Sequence, residues 1–219
     1  MTPAAAILFD LDGTLVDSER ENVESVVRAA GRLGVTLTGA ERAFIVGHSW
    51  NEIHALVTRG HGLAVSMDQM IAIAVEEKRL MLASSGYRAL PGAVAAVKRL
   101  SARSALAVVS GASRVEVRDA VDSLGIAGAF QVLLGSEDYP RGKPAPDPYA
   151  LAMTIMKVPP ARCIAVEDAT PGIQSARAAG ARVIAVSEGN FSGFDLSGAD
   201  VIVKTLDDVT DELCDWLAG

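Results

Sequence analysis

Five short aliphatic or β-branched runs punctuate the chain: residues 4–10 (AAAILFD), 105–111 (ALAVVSG), 131–137 (QVLLGSE), 162–168 (RCIAVED) and 181–189 (ARVIAVSEG). None alternates apolar with polar. Such runs suit strands buried on both faces, as in a parallel sheet flanked by helices. The segments between the later runs carry the helical period instead. In 113–124, Val117, Ala120, Val121 and Leu124 fall at i, i+3, i+4 and i+7. Ser113 and Glu116 have the spacing of a capping box, and Gly125 stands where a helix-ending glycine belongs. Pro91 and Pro171 are expected in the first turns of helices. Strand and helix in repetition predict an α/β fold with a doubly wound, Rossmann-like parallel sheet.

One interval breaks the rhythm. Between the first run and residue 89 no strand pattern occurs. Val23, Val26, Val27 and Ala30 form one helical stripe, and residues 66–84 (SMDQMIAIAVEEKRLMLAS) read as a second, longer helix. The expected organisation is therefore a core of residues 1–16 and 89–219, with residues 17–88 inserted as a helical cap.

Composition narrows the setting. Of 219 residues half are apolar, enough to bury a sizeable core. The formal charge of -7 argues against nucleic acid or an anionic membrane as partner, since both call for basic surfaces. No basic leader precedes the first apolar run, and no window approaches the roughly eighteen uninterrupted apolar residues of a membrane span. Cys163 and Cys214 provide neither a disulfide framework nor a metal-ligand spacing. A reducing cytoplasm is the expected location.

In an open α/β sheet, ligands gather at the carboxyl ends of the strands. The first run delivers Asp10 and Asp12 there, the second Ser110 and Gly111, and the fourth Glu167 and Asp168. After the third run comes EDYPRGKPAPDPY, which holds Lys143. Clustered carboxylates call for a cation, and a modest set of hard oxygen ligands suits Mg²⁺. Asp10 and Asp168 are the candidate side-chain ligands, with the Asp12 backbone carbonyl as a third. Glu167 either orients a metal-bound water or pairs with Lys143. Ser110 and the Gly111 amide, at a strand–helix junction, suit a phosphate group, and Lys143 adds a point charge for the same group. Metal, lysine and amides around one point describe a phosphoryl group in transfer. General acid–base help supplies about 10² to 10⁴ in rate, far short of what phosphate-ester hydrolysis requires. A covalent intermediate on Asp10 meets that need, with Asp12 as general acid and then base.

Each element alone has a plainer explanation. Asp12-Gly13 reads as a turn, Ser110 as a helix cap, Lys143 as a solvated lysine and VEDATPG as an acidic turn. The function rests on their joint arrival at four strand ends. His48, His54 and His61 lack metal spacing, Trp50 suits packing, and neither a GxGxxG nor a GxSxG unit occurs.

These residues resemble the haloacid dehalogenase-like superfamily: DLDGTLVDS its first motif, VVSG its second, the lysine of RGKPAPDPY its third and VEDATPGI its fourth. The resemblance spans nearly the whole chain, and the position of the cap is similar to the β-phosphoglucomutase-like and phosphoglycolate phosphatase-like branch. It implies a Mg²⁺-dependent phosphotransferase with Asp10 as nucleophile and Asp12 as acid/base. The superfamily's dehalogenases lack the second aspartate. Its β-phosphoglucomutases typically carry a histidine where an ungapped reading places Asn22, and a lysine–glycine with a nearby arginine in the cap. Here the comparable loop, FIVGHSWNE, offers Val46-Gly47 and Trp50. A phosphatase of a small phosphorylated metabolite is therefore expected over a sugar-phosphate mutase. The loop 46–52, with Gly47, His48, Ser49, Trp50 and Asn51, is expected to select the substrate. A phosphoacceptor receiver module, the alternative from another class, orders its acids differently and lacks the insertion.

Overall fold

The computed structural model describes residues 4–46 and 48–218. In chain order the elements are β1 (Ala6–Phe9), α1 (Ser18–Arg32), α2 (Gly39–Ile45), α3 (Trp50–His61), α4 (Met67–Ser85), α5 (Ala93–Leu100) and β2 (Ala105–Val109). There follow α6 (Arg114–Ser123), β3 (Val132–Leu134), α7 (Asp147–Met156), β4 (Cys163–Glu167), α8 (Thr170–Ala178), β5 (Arg182–Val186), β6 (Val201–Val203) and α9 (Asp211–Ala218). The strands form one parallel sheet in the order β3-β2-β1-β4-β5-β6. β1 is central, with Ile7 in register with Leu106 on one side and Ile164 on the other. The chain winds outward through β2 and β3, then returns across β1 to start again at β4. The switch point thus lies between β1 and β4, where such sheets leave a crevice for ligands.

Successive strand residues face opposite layers. Ile7, Phe9, Val108, Ile164, Val166 and Ile184 share a core with residues of α5, α6 and α9. Ala6, Leu8, Ala107, Val109, Ala165 and Val183 share another with residues of α7 and α8. The doubly wound α/β class read from the runs is the fold observed.

The details depart from expectation in instructive ways. Each predicted strand is trimmed, and Asp10, Ser110 and Asp168 come directly after the last residues of β1, β2 and β4. β6 is absent from the sequence reading: it has three residues, is half-exposed at the sheet edge and carries no doubly buried pattern. α6 carries the expected box, Glu116 N–H donating to Ser113 Oγ at 3.3 Å and Ser113 Oγ–H to Glu116 Oε2 at 2.6 Å. Pro171 does lie in the first turn of α8. Pro91 does not lie in a helix: α5 is capped by Gly92 in the left-handed region (φ +78°), and the proline shapes the preceding turn.

The chain divides into two compact units, one of Met1–Asp17, Tyr87–Asn190 and Phe194–Gly219, the other of Ser18–Gly86 with Phe191–Gly193. The second unit has its own core, including Val26, Ala30, Ile45, Ile53, Val57 and Met70. In it α1 packs along α4, and Arg32 pairs with Glu76 at 2.6 Å and Glu77 at 3.2 Å. No helix among the described residues is long and apolar enough to cross a membrane.

Candidate active site

The crevice at the switch point collects the acids. Asp10 follows β1 directly, its amide held by the Val166 carbonyl at 2.9 Å. Glu167 ends β4 and Asp168 follows it. Asp10, Glu167 and Asp168 are buried, and one carboxylate oxygen of each lies within 4.8 Å of the others. Lys143, nearly buried, donates to Asp10 Oδ1 at 2.5 Å and to Glu167 Oε1 at 2.6 Å. Thr14 Oγ1 donates to Asp168 Oδ1 at 3.4 Å. Asp12 is half-buried, and its charge acts on Asp10.

Three acids face a single ammonium, so negative charge is in excess. Burial raises Asp10 to about 7; Glu167 and Asp12 push the same way, and Lys143 opposes them. Burial raises Asp168 to about 9, helped by Asp10 and Glu167. Burial works to lower Lys143, but the Asp10 and Glu167 carboxylates outweigh it and hold the ammonium well above its usual range. Carboxylate oxygens with uncompensated charge, closely grouped and buried, are what a divalent cation would neutralise. The donor set fits a hard metal ion. Of the two sequence readings of Glu167, pairing with Lys143 is the contact observed.

Glycines let these groups meet. A Cβ on Gly172 would overlap the Glu167 carboxylate, so only glycine leaves it room beside the first turn of α8. Gly13, at φ +76°, sits against Asp168, and Gly189 against the Gly13 carbonyl.

Ser110 is fully buried at the end of β2, its Oγ accepting from Ala112 N–H at 3.0 Å. Gly111 beside it is exposed, with nothing within 4 Å of where a Cβ would stand. Two amides at the α6 N-terminus are committed, Arg114 N–H to Glu137 at 2.9 Å and Glu116 N–H to Ser113.

The cap candidates are engaged within their own unit. Asn22 Oδ1 accepts from Lys78 Nζ at 3.0 Å. His48 stacks on Phe44 at 3.8 Å between ring centroids. The Ser49 amide and hydroxyl both donate to Glu52 Oε2, at 2.9 and 2.7 Å. Trp50 packs against the cap core, Asn51 is exposed, and Gly47 lies outside the described residues. His54 and His61 also have local partners, the Val65 carbonyl and Glu41, each at 2.8 Å.

Comparison with known proteins decides the family. The family model for haloacid dehalogenase-like hydrolases matches residues 4–180. The chain belongs to that family of hydrolases. Hexitol phosphatase A of Escherichia coli is 34% identical over 210 residues, covering 93% of this chain and 92% of the relative. Validoxylamine A 7'-phosphate phosphatase of Streptomyces hygroscopicus is 32% identical over 215 residues, covering 92% and 94%. The Arabidopsis thaliana bifunctional riboflavin kinase/FMN phosphatase is 28% identical over 209 residues, 94% of this chain; the chain spans 54% of that longer protein. Among solved structures, a β-phosphoglucomutase from Clostridium difficile matches with a TM-score of 0.68 at 21% identity, covering 100% and 97% of the two chains. That likeness is one of fold.

Against the family's four motifs, two kinds of residue are not legible in this sequence. Tyr139 and Tyr149 stand within EDYPRGKPAPDPY, yet nothing in the string says that their hydroxyls reach Ser110 O at 2.5 Å and Glu167 Oε1 at 2.6 Å. Gly189 likewise carries no signal, since its role is a close approach between loops far apart in sequence.

Proposed function

We propose that this hydrolase is a Mg²⁺-dependent phosphatase of a small phosphorylated metabolite, a sugar or polyol phosphate or a phosphoglycolate-like ester, acting through an aspartyl-phosphate. The observation that carries it is the grouping of Asp10, Glu167 and Asp168 around Lys143 at the switch point of the sheet. The names of two relatives, phosphatases of a hexitol phosphate and of validoxylamine A 7'-phosphate, support the substrate class.

Asp10, Asp168 and the Asp12 carbonyl would hold Mg²⁺, which neutralises the acids and lets a phosphate dianion approach. Lys143 grips Oδ1 of Asp10, leaving the other oxygen to attack phosphorus. The phosphorus–oxygen bond to the alcohol breaks, and Asp12 protonates the departing alkoxide. Ser110, the Gly111 amide and Lys143 bind the equatorial oxygens, where charge is spread in the transition state. Asp12 then takes a proton from water as it attacks the phosphoaspartate, releasing phosphate and restoring Asp10. Glu167 keeps Lys143 oriented.

A screen of sugar phosphates, polyol phosphates and phosphoglycolate with Mg²⁺, reading phosphate release and isomer formation together, tests this reading. The expected result is phosphate release that chelation with EDTA abolishes. Isomerisation of a hexose 1-phosphate faster than its hydrolysis would replace the phosphatase with a mutase.

A further inference from the structure

One buried group in the crevice has no part in the scheme above. Tyr149, in the first turn of α7, is fully buried, yet its hydroxyl does not merely fill the core. It donates to Glu167 Oε1 at 2.6 Å, the oxygen that also receives Lys143 Nζ at 2.6 Å. The ring lies beside the same ammonium, 5.2 Å from Nζ to its centroid. Ser175 Oγ donates to the Ala145 carbonyl at 2.5 Å, tying the lysine loop to α8. Burial pushes the phenol well above its usual range, so it keeps its proton and acts as donor.

We infer that Tyr149 is a positioning residue: by sharing Glu167 Oε1 it holds Lys143 between Asp10 and Glu167 rather than on Glu167 alone. The role within catalysis rests on the phosphatase reading above. The physical reason is competition for one acceptor. A carboxylate oxygen with two donors binds each less tightly than it would bind one. Without the phenol, Glu167 Oε1 has the ammonium to itself and draws Nζ away from Asp10. The nucleophile then loses its anchor, and the transferring phosphoryl group loses a centred cation. Such a loss is felt in the transition state more than in substrate binding, so it falls on kcat. Tyr139 supplies the contrast: its hydroxyl bonds the Ser110 carbonyl and does not touch Glu167.

The test is Tyr149→Phe, which keeps the ring and removes the hydroxyl. Expected is a fall in kcat of about tenfold with KM changed by less than about threefold, the range for a hydrogen bond to a charged group. In a Glu167→Gln background the same change should cost less than about twofold, because its effect passes through Glu167. Tyr139→Phe should multiply fully with Glu167→Gln. A merely packing role for the Tyr149 hydroxyl would give full multiplication there too and would overturn the inference, as would an unchanged kcat in Tyr149→Phe. A crystal structure of Tyr149→Phe decides without turnover: Nζ beyond hydrogen-bond distance of Asp10 supports the role, and Nζ still bonded to both carboxylates defeats it. If the unaltered protein hydrolyses no ester, the phosphatase reading fails, while the lysine position still tests Tyr149.

Discussion

The acid cluster of the crevice and the acids of the helical unit titrate in opposite ways. In the sheet unit, burial drives Asp10 up to about 7 and Asp168 to about 9. In the helical unit, the Thr38 amide and hydroxyl, with His61, draw Glu41 down to about 2. Ser49 lowers Glu52, and Arg32 lowers Glu76. The helical unit spends its acids on capping boxes and surface ion pairs, local devices that favour the fold. The sheet unit uses the same devices at Glu137, Asp138 and Asp147, but in the crevice it crowds Asp10 and Asp168 with Glu167, where neighbouring carboxylates oppose ionisation. Charge held against its own preference in a crevice is the mark of a site kept for a ligand.

The sharpest break comes at the nucleophile. Asp10→Asn should reduce turnover by at least about 10⁴-fold, measured as phosphate release, because no other group can form the covalent intermediate. Asp12→Asn should cost about 10² to 10⁴, the share of general acid–base catalysis. Full activity in Asp10→Asn would sink the covalent mechanism.

Next comes a residue with no chemistry of its own. Gly172→Ala sets a methyl group where the Glu167 carboxylate lies. Glu167 must move, and Lys143 with it. Turnover should fall about a hundredfold, and stability by about 1–3 kcal/mol, the usual cost of overpacking. Circular dichroism melting and phosphate release measure the two losses. A Gly172→Ala protein as active as the parent would mean that the position of Glu167 is immaterial.

How much of this was legible in the sequence follows from where the information lies. The sheet was readable because strands buried on both faces must be aliphatic at consecutive positions, as in AAAILF and CIAV. β6 escaped because an exposed edge makes no such demand. Asp10, Lys143, Glu167 and Asp168 were readable because strand order carries them to one edge. Their pairing was not: that Lys143 bridges two carboxylates, or that Tyr149 reaches Glu167, depends on side-chain directions set by packing. The α6 N-terminus was legible in part. Ser113-x-x-Glu116 signals a capped helix, and a capped helix has already assigned the Glu116 amide; Glu137, distant in sequence, takes that of Arg114.

A third prediction uses pH and metal. Asp10 and Asp168 have folded values above the ordinary aspartate 3.8, so their charge disfavours the fold increasingly as pH rises from about 4 through 7 to 9. Glu41 is depressed from 4.5 to about 2, so its contribution is present above about 4.5 and is lost as pH falls toward 2. Acid should thus relieve the crevice while weakening the α2 capping box and the paired surface acids of both units. Mg²⁺ should raise Tm by several degrees at pH 8 and far less at pH 5, where protons already neutralise the acids. Hydrogen exchange resolved by unit would separate the two responses. Equal stabilisation by Mg²⁺ at both pH values would count against the Asp10–Asp168 site.

The smallest expected effect lies in the cap loop, where the division between units can be tested against itself. Ser49 starts α3 with its amide and hydroxyl on Glu52, a structural commitment. Ser49→Ala should therefore cost about 1 kcal/mol of stability, as the loss of a helix cap does. Its effect on hydrolysis of p-nitrophenyl phosphate, an ester that makes few demands on specificity, should stay within about twofold. Asn51 is exposed, and His48, though it stacks on Phe44, is exposed as well and caps no helix. His48→Ala and Asn51→Ala should leave Tm nearly unchanged yet alter the ratio of kcat/KM between a hexitol phosphate and phosphoglycolate by about 10-fold, the worth of one or two polar contacts. A loop that only supports the fold would give the reverse pattern: Tm lost at all three positions and the substrate ratio fixed. That outcome would place selection elsewhere in the protein, and the cap's exposed polar positions would then be solvated surface alone.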